Sequence, residues 1–314
     1  MSTAFMFPGQ GSQAVGMGKA LAEAVPAARA VFDEVDEALG ERLSAIIWEG
    51  PADDLTRTRN AQPALMAVSM AAIRALESEG ITVAVHAAYV AGHSLGEYSA
   101  LAAGGSLSIA DAARLLRIRG DAMQRAVPEG VGAMAAVLGL QLPAVESIAA
   151  EAATKDEVCE VANDNAPGQV VVAGHKPAVE RAMVIAKGQG ARALPLAVSA
   201  PFHCALMQPA AEVMAHALAS AEIQAPAVPL VSNVLAAPMR DPTQIRQRLV
   251  EQVTGTVRWR ESISWLAANG VTRLVEVGAG KVLSGLARRS VTDIAASQMG
   301  TPDELRAVVA ELRG

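Results

Sequence analysis

The sequence has few aromatic residues, few cysteines and no excess of positive charge. Aromatic residues make up 3% of its 314 residues, so we expect a core built from aliphatic side chains and methionine. The formal net charge of −6 argues against a nucleic-acid-binding protein, which needs a basic face. Two cysteines, Cys159 and Cys204, do not make a disulfide framework in a chain this long, so the composition favours a reducing, cytoplasmic location.

The sequence also lacks a convincing membrane span. The uncharged run 193–211 is long enough, but Pro195, Pro201 and Pro209 interrupt it. Residues 1–4 show no signal-peptide pattern. No pair of histidines has metal-ligand spacing, so we predict no metal site. With 52% hydrophobic residues, the chain is expected to be a compact soluble enzyme, a monomer by default, that binds neither nucleic acid nor membrane.

The most informative stretch is Gly92-His93-Ser94-Leu95-Gly96, which matches the pattern Gly-x-Ser-x-Gly. A short apolar run precedes it and a helix-compatible run, residues 95–103, follows it. A strand, tight turn and helix would expose the Ser94 hydroxyl at the tip of the turn. N–H groups at the start of the helix can stabilise an oxyanion. The pattern predicts a serine nucleophile for acyl transfer, although it also arises by chance in a chain rich in alanine, glycine and serine.

The chain begins with a short apolar strand, residues 4–7, that runs into the loop 8–13. Proline and glycine end the strand and leave backbone N–H groups free. A loop in this position often reaches the active edge of an α/β sheet. By itself, however, the pattern fits an ordinary turn equally well.

Arg119 lies on the apolar stripe of a helix that begins with a capping box at Ser108 and Asp111 and ends at about Ala126. An unpaired buried guanidinium is very costly, so Arg119 needs an acidic partner. The helix pattern alone favours a structural salt bridge to an internal aspartate or glutamate. The functional alternative is a site for a substrate carboxylate, bound by both arms of the guanidinium.

Residues 128–198 differ from the rest of the chain in the order of their predicted strands and helices. The predicted elements follow the order β-α-β-β-α-β, with strands at 131–138, 158–161, 170–173 and 193–198, helices at 144–153 and 177–187, and a turn at 163–168. This order predicts a small ferredoxin-like domain whose ends lie close together. We therefore expect an α/β fold: a large α/β-hydrolase-like domain with a parallel sheet core, residues 1–127 and 199–314, and an inserted small domain, residues 128–198.

His203 is the best candidate for a general base among the five histidines. Pro201 prevents a helix locally, so His203 is expected on a loop after a strand. An ordinary loop histidine is the alternative.

The segment Gly278-Ala279-Gly280-Lys281 imitates a phosphate-binding loop. It fails that pattern because Val275 stands where the first glycine is required and Val282 where serine or threonine is required. We therefore predict that the chain does not bind ATP or GTP.

Six separated blocks occur in the order found in one family. They are Phe7–Gln13, Gly92–Tyr98, the Arg119 helix, Asn165–Gln169, Pro201–Cys204 and Glu276–Lys281. From Ala4 to about Arg289, the chain closely resembles malonyl-CoA:acyl-carrier-protein transacylases of type II fatty acid synthesis.

The resemblance implies a role for each of nine residues. These are Ser94 as nucleophile, His203 as base, the backbone carbonyl of Gln252 as the group that orients His203, the N–H groups of Gln10 and Leu95 as oxyanion hole, Arg119 as ligand of the malonyl carboxylate, and Phe202, His93 and Asn165 as pocket residues. Phe202 would leave little room for an α-methyl branch. The implied reaction moves malonyl from malonyl-CoA to the phosphopantetheine thiol of acyl carrier protein, with no further cofactor.

Other functions remain open at this point. A hydrolase uses the same serine turn, but its histidine usually lies close to the C-terminus, and no histidine follows His216 here. Transfer to a polyketide carrier, a subunit of malonate decarboxylase and a non-catalytic assembly subunit are further alternatives. Since carrier proteins of this kind are acidic, we also expect a local basic patch drawn from Arg114, Arg117, Arg125, Lys187, Lys281, Arg288 and Arg289.

Overall fold

Two separate β-sheets organise the protein, and the computed structural model describes residues 2–314 of it. The strands in this part of the chain are β1 (Ser2–Phe7), β2 (Tyr89–Gly92), β3 (Gly132–Leu138), β4 (Cys159–Ala166), β5 (Gln169–His175), β6 (Arg192–Pro195), β7 (Leu230–Val231), β8 (Pro238–Met239), β9 (Val271–Val277) and β10 (Ala295–Met299). The larger sheet is mainly parallel and the smaller one antiparallel, which confirms the predicted α/β class.

Helices cover both faces of the larger sheet and also pack on the smaller one. They are α1 (Lys19–Ala24), α2 (Pro26–Leu39), α3 (Leu43–Glu49), α4 (Ala52–Thr56), α5 (Thr58–Ser78), α6 (Val83–His86), α7 (Gly96–Ala103), α8 (Ile109–Arg125), α9 (Leu142–Ala152), α10 (Lys176–Gly188), α11 (Gln208–Ala219), α12 (Pro242–Glu251), α13 (Trp259–Ala268), α14 (Val282–Ser290) and α15 (Pro302–Arg313). The predicted cap of α8 is confirmed, since the Ser108 hydroxyl accepts the Asp111 N–H at 3.0 Å. None of the described helices is both long and apolar enough to cross a membrane.

The larger sheet has the strand order β10-β9-β1-β2-β7-β8 and is parallel except for the β7–β8 pair. Strand β1 lies near its centre and is buried on both faces. Phe5 and Phe7 pack into the core with α2, α5 and α8, whereas Ala4 and Met6 pack with α13 and α14. A doubly covered strand explains why residues 4–7 form a continuous apolar run.

The smaller sheet has the order β4-β5-β3-β6, with every neighbouring pair antiparallel. Helices α9 and α10 close its core, which is built from small side chains such as Ala135, Val145, Val170 and Ala182. This is the predicted ferredoxin-like arrangement. The exact boundaries 128 and 198 of the inserted domain stay a prediction.

The predicted turn 163–168 is wrong for its first four residues, because strand β4 continues to Ala166. Two register shifts against β5, on either side of Asn163 and Asp164, make room for the polar residues in the strand. The same segment also pairs with the larger unit. Asn163 forms a parallel bridge with Val257, and the Asp164 carboxylate pairs with Arg260 at 2.8 Å.

Helix α5 begins at Thr58, so Pro63 lies inside it. Proline has no N–H to donate to the carbonyl of Arg59, one turn earlier. The Arg117 guanidinium donates to this carbonyl at 2.6 Å instead. A side chain from α8 therefore replaces the hydrogen bond that proline removes.

Candidate active site

The turn that carries Ser94 joins β2 to α7 and has the strand–turn–helix form expected from its sequence. Ser94 adopts a φ of 54°, a strained conformation for a non-glycine residue. A Cβ at Gly92 would lie 1.9 Å from the carbonyl of Gly96, and a Cβ at Gly96 would lie 2.3 Å from the Phe7 oxygen. Only glycine fits at these two positions, and the pair allows the turn to pack against β1.

The structure brings Ser94, His203 and Gln252 together from three distant parts of the chain. Ser94 Oγ lies 2.8 Å from His203 Nε2, and His203 Nδ1 lies 2.8 Å from the backbone oxygen of Gln252. His203 is buried and has a φ of 59°. Among the described non-glycine residues, only Ser94, His203 and Ala236 have positive φ. Backbone strain is therefore concentrated at this site, as is common where catalytic groups are held in place.

Two residues that line the same cavity as Ser94 have free backbone N–H groups. The backbone N–H groups of Gln10 and Leu95 donate to no acceptor within residues 2–314, and both residues line the same cavity as Ser94. Leu95 immediately precedes the first turn of α7, where the helix dipole favours negative charge. The pair can accept an oxyanion without first breaking an internal hydrogen bond.

The predicted salt bridge of Arg119 is wrong, since no carboxylate in the described chain pairs with this buried guanidinium. Its Nη1 donates to Gln62 Oε1 at 2.7 Å. Its Nη2 donates to Gln252 Oε1 at 2.8 Å and to Ser94 Oγ at 3.1 Å. Neutral amide oxygens and a hydroxyl satisfy donors but do not neutralise the charge. The positive charge thus faces the Ser94 hydroxyl directly.

These groups surround a cavity of about 290 Å³. Its lining includes Phe202 and His93, as expected, along with the groups described above. Asn165, the third expected pocket residue, does not line it. The register shift between Asp164 and Ala166 changes the course of β4 there, and Asn163 lines the cavity instead. Asn165 bonds to His93 Nε2 at 2.8 Å and reaches the cavity only through that ring.

Burial and the nearby Arg119 charge lower the pKa of His203 to about 3, against the weaker opposing effect of the Gln252 carbonyl. The pKa of His93 is also lowered, chiefly by burial. At neutral pH, His203 is therefore an uncharged imidazole. Its Nε2 is free to accept the Ser94 proton when Nδ1 carries the hydrogen donated to Gln252.

Sequence reasoning missed two polar residues behind the turn, Glu97 and Asn233. The Asn233 amide bridges the turn: Oδ1 accepts the Ser94 N–H at 2.7 Å and Nδ2 donates to the Gly92 oxygen at 2.7 Å. The Glu97 carboxylate accepts from the Asn233 N–H and from Gln252 Nε2. Complete burial raises the pKa of Glu97 to about 8. A single carboxylate in the otherwise uncharged segment 96–103 was the available signal, by the same reasoning that singled out Arg119.

Residues 4–309 match the family described as "acyl transferase domain". The chain belongs to this family. The acyl transferase of Bacillus subtilis (strain 168) named malonyl CoA-acyl carrier protein transacylase is 46% identical over 99% of this chain and 97% of its own length.

Solved acyl transferase structures are equally similar. The acyl-carrier-protein-S-malonyltransferase from Bartonella henselae is 56% identical with a TM-score of 0.98, covering 100% of both chains. A malonyl-transacylase in complex with its type II PKS acyl-carrier protein is 42% identical with a TM-score of 0.96, covering 99% of this chain and 100% of that one.

The residues expected to form a basic patch do not share one environment. Arg117 is largely buried and pairs with Glu41, and Arg114 pairs with Asp111. By contrast, Lys281, Arg288 and Arg289 lie exposed at the two ends of α14, and Lys187 is exposed near the end of α10. No group of three or more His, Cys, Asp or Glu side chains suited to a metal occurs in the described part of the chain.

Proposed function

We propose that this protein is a malonyltransferase that moves a malonyl group from malonyl-CoA to the phosphopantetheine thiol of an acyl carrier protein, for fatty acid biosynthesis. The observation that carries the proposal is the Arg119 guanidinium, 3.1 Å from Ser94 Oγ in a cavity and without a carboxylate partner. A cation in this position complements an acyl group that carries a free carboxylate. The names of the similar proteins agree with malonyl as that group.

Acyl loading follows from the proposed roles. His203 Nε2 takes the Ser94 proton as Oγ attacks the thioester carbon. The carbonyl oxygen becomes an oxyanion that accepts the N–H groups of Gln10 and Leu95, each worth about 3 kcal/mol in the transition state. The carbon–sulfur bond then breaks, the CoA sulfur takes the proton from His203, and a malonyl ester remains on Ser94.

The second half reverses this sequence with another thiol. His203 takes the proton of the phosphopantetheine thiol as its sulfur attacks the malonyl ester. The same two N–H groups hold the second oxyanion, and the ester bond to Ser94 breaks as His203 returns the proton to Oγ. The two halves share one site and no ternary complex is needed, so we expect ping-pong kinetics.

Selectivity for malonyl rests on Arg119. The malonyl carboxylate would neutralise the buried guanidinium, whereas an acetyl group would leave it uncompensated. Phe202, which lines the cavity, would disfavour an α-methyl branch. We therefore expect acetyl-CoA to be disfavoured by several kcal/mol and methylmalonyl-CoA to be a poorer donor than malonyl-CoA.

The proposal needs no bound cofactor, because every proton and charge is handled by the groups named above. The partner is an acyl carrier protein, in line with the transacylase solved with its carrier. We propose a cytoplasmic location, which the free state of Cys159 and Cys204 supports. A monomeric state stays a prediction.

The deciding experiment is intact mass spectrometry after mixing with malonyl-CoA and, separately, acetyl-CoA. We expect a malonyl adduct from the first and none from the second. The adduct should be absent in Ser94→Ala and should move to a holo carrier protein when one is added. Adducts from both donors would overturn the proposed role of Arg119.

Hydrolysis gives a different result in the same assay. If the malonyl-enzyme decays rapidly to free malonate without an acceptor thiol, the protein is a thioesterase. Comparing carriers of fatty acid and polyketide synthesis as acceptors would then identify the pathway of a confirmed transferase.

A further inference from the structure

A continuous series of hydrogen bonds joins Arg119 to Gln10 through two buried side chains, Gln62 and Thr58. Arg119 Nη1 donates to Gln62 Oε1 at 2.7 Å. Gln62 Nε2 donates to Thr58 Oγ1 at 2.9 Å, and the Thr58 hydroxyl donates to Gln10 Oε1 at 3.0 Å. The series thus connects the cation proposed to select the acyl group with a residue proposed to form the oxyanion hole.

Arg119 fixes which group donates in each of these three hydrogen bonds. A guanidinium has only donors, so Gln62 must present its oxygen to Arg119 and its NH₂ group to Thr58. The Thr58 oxygen then accepts, which leaves its one hydrogen to donate onward. Gln10 therefore presents its side-chain oxygen to Thr58. The charge of Arg119 sets the orientation of two amides, one of them two side chains away.

Solvent cannot take over these bonds at the centre of the series. Thr58 is 0% exposed and Gln62 is 1% exposed. The second Gln62 N–H faces Met123 Sδ at 3.6 Å, a weak acceptor that cannot replace the threonine hydroxyl. Removing that hydroxyl leaves a buried donor and a loop amide without their partner.

The position of the Gln10 N–H depends on the bond to Thr58, whereas the position of the Leu95 N–H is fixed by the backbone around it. Leu95 is fixed at the start of α7, within the constrained turn that carries Ser94. Gln10 lies on the loop after β1, outside any helix or strand, and Thr58 is the one hydrogen-bond partner of its side chain among residues 2–314. Thr58 itself is the first residue of the long helix α5, which packs on α8.

We propose that Thr58 is a positioning residue that couples Arg119 to the Gln10 half of the oxyanion hole. It touches neither substrate nor reacting atoms. It holds the loop so that the Gln10 N–H faces the cavity, and it ties that orientation to the guanidinium that receives the acyl carboxylate. The assignment rests on the proposed roles of Gln10 and Arg119 in acyl transfer.

The test compares Thr58→Val, which keeps the side-chain shape, with Thr58→Ser, which keeps the hydroxyl. Thr3→Val is the matched control, because Thr3 is also buried but lies near the start of β1, away from the loop after its end. The first readout is the rate at which a fluorophosphonate phosphonylates Ser94. This reaction uses the oxyanion hole and carries no carboxylate, so it does not depend on malonyl transfer.

We expect Thr58→Val to slow phosphonylation about tenfold, less than the roughly 10²- to 10³-fold effect of deleting an oxyanion donor. Malonyl transfer should lose a similar factor in kcat with KM for malonyl-CoA changed less than about twofold. Thr58→Ser and Thr3→Val should react at the wild-type rate. If Thr58→Val folds poorly, Thr58→Ala gives the same comparison at lower temperature.

A double variant tests the coupling itself. Arg119→Met removes the donor that orients Gln62, so adding Thr58→Val to it should slow phosphonylation by less than about twofold more. Independent, multiplying effects would overturn the coupling, and a wild-type rate for Thr58→Val would overturn the positioning role. A wild-type protein that reacts with the fluorophosphonate but never transfers malonyl would overturn the proposed function while leaving the role of Thr58 to be decided by the same rates.

Discussion

Two turns of the larger sheet look alike and differ in chemistry. Strands β2 and β9 flank β1, and each leads through a glycine-containing turn into a helix. After β9, the Glu276 carboxylate accepts the N–H groups of Leu283 and Ser284 at 3.0 and 2.8 Å, so the start of α14 already holds a negative group. After β2, the Leu95 N–H has no such partner.

A helix N-terminus can bind an added anion only where no side chain of the protein already accepts its N–H groups. Both helices have a buried glutamate close by, but Glu97 turns away from the free N–H and binds Asn233 and Gln252 instead. The Glu276 carboxylate, from the strand before α14, already accepts the N–H groups at the start of that helix. The N–H group of Leu95 at the start of α7 stays free, as the proposed oxyanion hole requires.

The largest effect is predicted for Ser94→Ala, which removes the hydroxyl that only the first of the two turns carries. Ser94→Ala should lower malonyl transfer by at least about 10⁴-fold, because the turn then lacks a nucleophile. Its thermal unfolding should match the wild type within a few degrees, which circular dichroism would check. Residual activity close to that of the wild type would mean that another residue carries the acyl group.

Equal substitutions at the two glutamates should separate structure from catalysis. Glu97→Gln and Glu276→Gln each weaken a buried acceptor of two donors, so each should lower the free energy of unfolding by about 1–3 kcal/mol. Only Glu97→Gln should also lower kcat, about tenfold or more, because the Gln252 NH₂ group would lose one of its two acceptors and keep only the Ser94 oxygen. Urea unfolding and acyl-loading rates measure the two effects, and equal kcat losses in both variants would contradict the comparison.

The pH dependence of the reaction at Ser94 should show how far the Arg119 charge lowers the pKa of His203. Since the pKa of His203 lies near 3, the phosphonylation rate should show no inflection near the free-histidine value of about 6.5. Arg119→Gln removes a positive charge that lowers this pKa, so the inflection should move upward. The lowered pKa also means that folding stability is lost as the pH falls below about 6.5, because the unfolded chain then binds a proton that the folded chain does not. An inflection that stays in place in Arg119→Gln would exclude this electrostatic effect.

The smallest effect concerns α14, the helix that follows the second turn, as a surface for the partner. A Cβ added to Gly280 would lie 3.6 Å from Ser12, so this turn neighbours the loop that carries Gln10. Replacing both Arg288 and Arg289 with glutamate should raise KM for an acidic carrier protein about fivefold and reduce its salt dependence. Arg114→Glu on α8 serves as the control. An unchanged KM would place the docking surface elsewhere.

Local patterns made part of this arrangement predictable. The glycines around Ser94, the cap at Ser108 and the apolar stripe that contains Arg119 are signals within one element, and the structure has each of them. The resemblance supplied the expected pairing of His203 with the Gln252 carbonyl, which lies 49 residues further along the chain.

The rest depends on tertiary context. The ion-pair partner expected for Arg119 could not be rejected from the helix alone, because the acceptors of its Nη1 and Nη2 groups are amide oxygens from α5 and from Gln252. The turn expected at Asn163 resembles a loop in sequence, but the bridge to Val257 keeps it in the strand. No pattern in the sequence around Thr58 singles it out. Its proposed role depends on Arg119, Gln62 and Gln10, which come together only in the folded protein.

The bridge between Asn163 and Val257 has a consequence for protein engineering. Strand β4 is held there by the Asp164 N–H to the Val257 oxygen, by the Val257 N–H to the Ala162 oxygen, both at 2.9 Å, and by the ion pair to Arg260. A graft of residues 128–198 from a related acyltransferase would replace the β4 side of these contacts but not residues 257–260. A functional chimera should carry residues 257–260 of the donor as well, so that the transplanted unit is discontinuous in the gene.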